Sequence, residues 1–348
     1  MQDSRDAETM AAARLYGSGD LRLVREPRPR VYPGASLVRM TVVGVCGSDL
    51  HWFEEAGIGD ARLDAPLVLG HELAGVVEAG ELTGQRVAID PAIPCRNCGT
   101  CDTGHRNLCP NLTFAGHGST DGGLREYVAW PTSLLHPLPA TISAAEAAML
   151  EPLGVAIHAL DLGHPRIGMS VGVFGTGPIG LLLIQVARAS GASAIVASEP
   201  LAHRREAAAR LGADVVLATG EHTNDRTATD PAGLNLDLTF EAAGTDAALV
   251  AAMQAVRPGG RVVVVGIPDN DQTSFPASLA RRKGLTIVMA RRMKETYPRA
   301  IDAVERGQVD LSSLVTHRFP LRQAQQAFAF ARTRAGLKSV IDVTTDET

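Results

Sequence analysis

Five cysteines fall into two groups, and the division is itself chemical information. Cys95, Cys98, Cys101 and Cys109 share one segment with C-x2-C-x2-C-x7-C spacing, while Cys46 stands alone. Four thiolates so close together suit a tetrahedral zinc with no place left for water, which makes a structural site. The residues between them, Arg96, Asn97, Gly99, Thr100, Asp102, Thr103 and Gly104, form turns and bury little, so a lobe over residues 94–110 needs the metal to hold its shape. A redox or iron-sulfur centre is the competing reading of such spacing. Zinc ribbons also bind nucleic acid, but only Arg96 and Arg106 are basic here and no aromatic side chain lies between Pro94 and Pro110 to stack a base. With four thiolates at hand, His105 reads as a surface residue.

Cys46 belongs to Val45-Cys46-Gly47-Ser48-Asp49-Leu50-His51, and His71 follows 25 residues later in Leu69-Gly70-His71-Glu72-Leu73. Cys and His are zinc ligands, and either Glu72 or Glu151 would complete three protein ligands while leaving one place open for substrate. Glu151 stands in the apolar run Met149-Leu150-Glu151-Pro152-Leu153, where a solvated carboxylate is out of place and a metal or an arginine would offset its burial. Each residue also has an ordinary reading: a lone Cys fills cores, a lone His makes a hydrogen bond. Spacing alone leaves that choice open.

A different chemistry begins at residue 171. An apolar run over 171–174 leads into Gly175-Thr176-Gly177-Pro178-Ile179-Gly180 and an apolar helix over 181–189. In such a strand, glycine turn and helix, the first glycine permits the tight turn, the second admits a pyrophosphate, and the third lets helix pack on strand. A second apolar run, 194–197, ends at Glu199, 19 residues after Gly180, where a carboxylate can accept from both ribose hydroxyls. Glu199 would repel a 2'-phosphate and so favours NAD; Arg204 and Arg205 are the features that would attract NADP instead.

These residues need elements to position them. Further apolar runs at 214–217, 236–240, 261–265 and 285–289 bring the strand count of this half to six, the pattern of an open parallel sheet. The first 150 residues differ: short β-rich runs at 36–43, 74–77 and 86–89, separated by Gly and Pro, predict an antiparallel barrel-like unit. Helical segments at 297–307 and 321–334 precede a last strand at 339–343, and all three are expected to return to the first domain. The chain has 348 residues, 45% hydrophobic and 20% charged, with a net charge of −5, so global disorder is excluded and no basic field invites a phosphate backbone. The most apolar stretch, 171–187, is broken by glycines and Pro178, so no membrane span is expected, and residues 1–10 read as a loose tail rather than an export or transit signal.

The combination Gly44-Val45-Cys46-Gly47-Ser48-Asp49-Leu50-His51, Gly70-His71-Glu72, the four-cysteine lobe, Glu151-Pro152-Leu153 and Gly175-x-Gly177-Pro178-Ile179-Gly180 resembles the zinc-dependent medium-chain dehydrogenase/reductase family over almost the whole chain beyond the tail. Within that family it is most similar to the sorbitol (polyol) and butanediol dehydrogenase branch, because Glu151 stands where the simple alcohol dehydrogenases place a cysteine. The resemblance implies an α/β fold: a GroES-like β-rich catalytic domain over 11–155 and 296–348, bearing the zinc lobe at 94–110, and a Rossmann doubly wound parallel sheet over 156–295. It implies two zinc ions per chain, one catalytic and one structural, with NAD as cofactor and NADP as the alternative. Cys46, His71 and Glu151 would then be the catalytic zinc ligands, Glu72 a ligand that exchanges with water, and Asp49 the acceptor that fixes the tautomer of His71. Ser48 would take the alcohol proton and pass it through the nicotinamide ribose to His51 and solvent. Gly175, Gly177, Pro178, Ile179, Gly180, Glu199 and Arg204 would hold the cofactor.

The implied reaction is hydride transfer between NAD and a secondary alcohol of a polyol, a cyclitol or aminocyclitol, or a sugar. An open zinc lowers the pKa of bound water from about 15.7 to about 7, and a similar effect on an alcohol corresponds to roughly 12 kcal/mol. A carboxylate ligand donates less charge than a thiolate, which keeps zinc a stronger Lewis acid and favours oxygen-rich, chelating substrates. Phe114, His117 and Arg292 match positions that line the polyol pocket, but Met293 replaces an aromatic residue usual in the animal enzymes, so the pocket departs from the sorbitol pattern. L-threonine or a simple secondary alcohol or diol is the alternative substrate. A non-catalytic zinc and nucleotide sensor is a third reading, against which the intact Cys46, Ser48, His51, His71 and Glu151 argue. A cytoplasmic homodimer or homotetramer, with neither nucleic acid nor membrane as partner, completes the expectation.

Overall fold

In the computed structural model, residues 9–219 and 233–344 are described. Contacts divide the chain into two compact units, Met1–Glu151 with Leu311–Thr348, and Pro152–Asp310.

The first unit is built on a seven-stranded sheet whose central strand, Ala35–Gly44, is rich in β-branched residues and mostly buried. Its neighbours are Glu72–Ala79 on one side and Lys338–Asp342 on the other, both antiparallel to it. The register sets Gly44 opposite Glu72 and opposite Val340, so residues near the ends of three strands meet at one place. Arg86–Ile89 and Leu135–Pro137 extend one edge, and Tyr127–Pro131 pairs with Ala35–Gly44. The antiparallel expectation holds for most pairs, with one exception: Val315–Pro320 runs parallel to Lys338–Asp342, because helix Ala324–Arg332 lies between them and returns the chain to the same end. Thr9–Gly17 joins a separate three-stranded sheet. Met10, assigned to the loose tail, belongs to that strand and is 1% exposed; the remainder of the tail, residues 1–8, lies outside the described residues.

The second unit carries a six-stranded parallel sheet in the order Val215–Ala218, Ala194–Glu199, Ser170–Phe174, Leu236–Glu241, Val256–Val264, Thr286–Met289. With Ser170–Phe174 counted first this is the 3-2-1-4-5-6 order of two mononucleotide-binding halves, and the ligand crevice lies at the carboxyl ends where the order reverses. Helix Pro178–Ala189 opens with proline at its first position, where no amide hydrogen is needed, and is buried along almost its whole length. A Cβ on Gly180 would strike the carbonyl of Gly175, which is why the third glycine of the turn has no side chain.

The unit boundary departs from the expected one. Helix Tyr297–Glu305, placed with the first domain from sequence, belongs to the second unit. Tyr297 and Ala300 are buried, Arg299 pairs with Asp161 at 2.6 Å, and the Gln185 amide accepts from the backbone of Asp310 at 2.7 Å and donates back at 3.2 Å. Those ties hold the chain to the second unit until residue 310.

Candidate metal and nucleotide sites

Cys46 ends the loop before helix Gly47–Glu55, and Asp49, one turn in, reaches back to accept from the Cys46 amide at 3.0 Å. That carboxylate is 1% exposed and also accepts from the Gly70 amide at 3.3 Å and from His71 Nδ1 at 3.1 Å. One buried acid therefore ties both loops and holds the proton on Nδ1 of His71, so Nε2 is free to act as a ligand. Among the described residues, ligand atoms of Cys46, His71 and Glu72 lie within 4.8 Å of one another. Ser48 Oγ stands 3.4 Å from His71 Nε2, and His51, with 14% of its side chain exposed, faces Glu55 at 3.9 Å.

Glu72 is fully buried, and Lys338 Nζ donates to its Oε1 at 2.5 Å. Its Oε2 is buried with no hydrogen-bond partner. An orphaned carboxylate oxygen costs free energy, and a cation between it, the thiolate and the imidazole removes that cost. The donor set thus fits zinc. Gly44 belongs to the same arrangement: a Cβ there would collide with the Glu72 carboxylate. Burial opposes the charged form of His71, but the Asp49 and Cys46 charges outweigh it and hold the imidazole well above its usual range. In Lys338 burial is likewise outweighed by the Glu72 carboxylate, which raises its pKa.

Glu151 stands outside that three-residue group. It lies in the first turn of helix Leu150–Gly163, 5% exposed, and burial pushes its carboxyl up to about 7, with His71 opposing and Glu72 adding to the shift. A carboxyl this buried and this close to two groups of the centre is a reserve of negative charge beside it.

Cys95, Cys98, Cys101 and Cys109 form the second cluster, all four sulfurs within 4.8 Å and none in a disulfide. Cys109 Sγ is 3.4 Å from that of Cys95 and 3.9 Å from that of Cys98. A tetrahedron with zinc–sulfur bonds of about 2.3 Å has sulfurs about 3.8 Å apart, so the spacing fits the ion. Partial burial and a bond to Cys98 push the Cys101 thiol up to about 12, while the Cys95 amide lowers Cys109. His105 is exposed, as expected of a non-ligand. The lobe is anchored by Arg106, whose guanidinium donates to the buried Asp90 carboxylate at 2.9 Å.

Phe114 packs its ring 5.3 Å from that of His71, and His117 meets Trp52 edge-on at 5.4 Å. Both expected pocket residues therefore border the helix and loop that carry Cys46, Asp49 and His71. Arg292 belongs to the second unit, where it has a left-handed φ of 52° and is followed by Met293, 4% exposed, whose sulfur accepts from the Thr296 hydroxyl at 3.2 Å. In that unit Gly175 takes φ 95° to make the turn, and Gly177 caps helix Pro178–Ala189. Pro178 and Ile179 fill its first two positions. Glu199 accepts from the Thr176 amide at 2.8 Å and the Leu201 amide at 3.1 Å, which fixes its carboxylate beside the glycine turn. Arg204 Nη1 lies 3.6 Å from where a Cβ on Gly177 would stand, so its guanidinium borders the same turn.

Lys338 escaped the sequence reading. Its signal was composition: the chain has 30 Arg and only 3 Lys, so each lysine marks a place where a guanidinium was not used.

Comparison with known proteins agrees with this geometry. Residues 32–140 match the alcohol dehydrogenase GroES-like domain and residues 178–306 the zinc-binding dehydrogenase domain. Sorbitol dehydrogenase of Macaca fascicularis is 37% identical over 336 residues, 94% of each chain. L-idonate 5-dehydrogenase of Escherichia coli superposes with a TM-score of 0.90 at 28% identity, covering 97% of this chain and 99% of that one. For 2R,3R-butanediol dehydrogenase of Bacillus subtilis the TM-score is 0.84 at 28% identity, covering 96% and 100%. The chain belongs to the zinc-dependent medium-chain dehydrogenase family, in its polyol dehydrogenase-like branch.

Proposed function

We propose that this protein is a zinc-dependent polyol dehydrogenase that transfers hydride between a secondary alcohol of a polyol, cyclitol or sugar and NAD. The observation that carries the reading is the Cys46, His71 and Glu72 group with its unpartnered buried Oε2. Zinc bound there supplies Lewis acidity, which lowers the pKa of a hydroxyl held at the open place. Cys46 and His71 would hold the ion, with either Glu72 or Glu151 as the third ligand. Asp49 keeps the His71 proton on Nδ1, which leaves Nε2 as the nitrogen that would bind the ion. Ser48 Oγ takes the substrate proton, and His51, nearer solvent, passes it on.

Phe114 and His117, beside His71 and Trp52, are the pocket residues we assign in the first unit. We assign the four-cysteine lobe a second, structural zinc, since its sulfur spacing matches a closed tetrahedron. NAD is preferred over NADP because the Glu199 carboxylate, fixed beside the glycine turn, repels a 2'-phosphate. A homodimer or homotetramer is the assembly we infer by family resemblance. Four cysteines clustered as metal ligands need to stay reduced, and we place the protein in the cytoplasm on that ground. Among the described residues no helix is long and apolar enough to cross a membrane.

The test is reduced-nicotinamide absorbance with purified protein across polyols, cyclitols, diols and L-threonine, with NAD and NADP in parallel. Turnover of polyols or cyclitols with NAD supports the assignment; turnover of threonine or simple alcohols alone refutes the substrate class, and no turnover with any of them refutes the enzyme.

A further inference from the structure

The Lys338 ammonium donates to one oxygen of Glu72, and the path between them is unusual. Strands Lys338–Asp342 and Glu72–Ala79 are not neighbours; Ala35–Gly44 runs between them. Adjacent strands lie about 4.8 Å apart, so the two side chains must span about 10 Å across the sheet face. They do so over Gly44, the residue paired with Glu72, where any Cβ would collide with the carboxylate. Both side chains are almost wholly buried, at 2% and 0% exposure. A buried ammonium is expensive unless paired, so a lysine in this position calls for an explanation beyond solubility.

The two oxygens of Glu72 have different fates: Oε1 takes the ammonium, while Oε2 has no partner and belongs to a carboxylate grouped with Cys46 and His71. A compact ammonium can occupy a single oxygen. The planar fork of an arginine would take both, and arginine is the cation this chain uses almost everywhere else. We propose that Lys338 is a positioning residue: it tethers Glu72 by one oxygen and so holds the carboxylate in reserve, able to reach the catalytic metal but not to occupy its open place permanently. The proposal rests on the zinc dehydrogenase reading above. It requires opposite consequences from two substitutions. Without the tether, Glu72 is an uncompensated anion that closes on the metal; with an arginine, both oxygens are withdrawn from it.

The experiment is zinc release from the native holoenzyme into a metallochromic chelator, in which the four-cysteine site is an internal control and Cys46→Ala identifies the catalytic phase. Lys338→Met should slow the catalytic phase about tenfold and Lys338→Arg should accelerate it by a similar factor, with the four-cysteine phase unmoved. The double variant Lys338→Met with Glu72→Gln leaves neither buried charge unpaired and should release zinc at the rate of Glu72→Gln alone. The proposal is overturned if the two single variants move the catalytic phase in the same direction or not at all, if both phases shift together, or if the double variant differs from Glu72→Gln by more than about threefold. If native protein has no phase that Cys46→Ala removes, the catalytic zinc itself is wrong and the tether falls with it, a result distinguishable from failure of the tether alone.

Discussion

At the residue scale, Ser48 and His136 make opposite demands on their surroundings. Ser48 must be near enough to the substrate hydroxyl to take a proton, and its Oγ already lies 3.4 Å from Nε2 of His71. Replacing it with alanine should lower kcat by about 10²–10⁴ while leaving NAD affinity within about twofold; equal loss in both, measured by steady-state kinetics and cofactor titration, would remove it from the proton path. His136 is structural. Burial in strand Leu135–Pro137, with the Arg106 charge adding to it, holds its imidazole down at about 4 against an ordinary 6.5. The unfolded chain therefore binds a proton that the folded one refuses, so stability is complete above about pH 6.5 and drains away as pH falls toward 4. Between pH 7 and 5 this corresponds to on the order of 1–2 kcal/mol, allowing for the partial exposure of the ring. His136→Gln should flatten the melting temperature over that interval relative to the native protein, and parallel curves would contradict the assignment. The four-cysteine lobe was legible in the sequence because ligand types and spacing are the chemistry itself, whereas Cys46 and His71, each with an ordinary reading of its own, stood out only through the family motif. Lys338 was not legible, because its meaning comes from a glycine that the register sets across from Glu72.

At the element scale, the strand, glycine turn and helix of the nucleotide site were readable because each glycine answers a local backbone demand. The partner of an amphipathic helix is not locally encoded, and Tyr297–Glu305 was assigned to the wrong unit for that reason. What held it was the Arg299–Asp161 pair and the Gln185 clamp, both made by residues more than a hundred positions away. Helix Asp246–Ala255 gives a second lesson about lysine. Its last carbonyls, Met253 and Gln254, and the Val256 carbonyl after them all accept from Lys283 Nζ, at 3.1, 2.5 and 2.7 Å. A cation at a helix C-terminus also opposes the negative end of the dipole. Lys283→Met should cost about 1–3 kcal/mol in urea unfolding, with Lys283→Arg recovering part of it; an unchanged midpoint in the methionine variant would show that solvent replaces the cap.

On the scale of the whole molecule, a net charge of −5 and an ordinary apolar fraction limited the partners to consider, and the motifs then selected the family. The six strands and their open parallel sheet followed from the apolar runs and the glycine turn, whereas their spatial order and the parallel pair Val315–Pro320 with Lys338–Asp342 could be seen only once the chain had folded. Two donor clusters of different character should make the protein respond to chelation in two stages. The catalytic ion, held by fewer side chains, should leave first with loss of turnover, and the thiolate-bound ion later with loss of the lobe, which limited proteolysis near residues 94–110 would report. Simultaneous loss of activity and protease resistance would argue against separate sites. The central claim is that Cys46 holds a metal on which turnover depends. The most direct test is zinc per chain and NAD reduction measured on the same preparations of native protein and Cys46→Ala: two zinc ions with turnover against one without it is the expected result, and a variant that retains full activity, or still binds two ions, would contradict it.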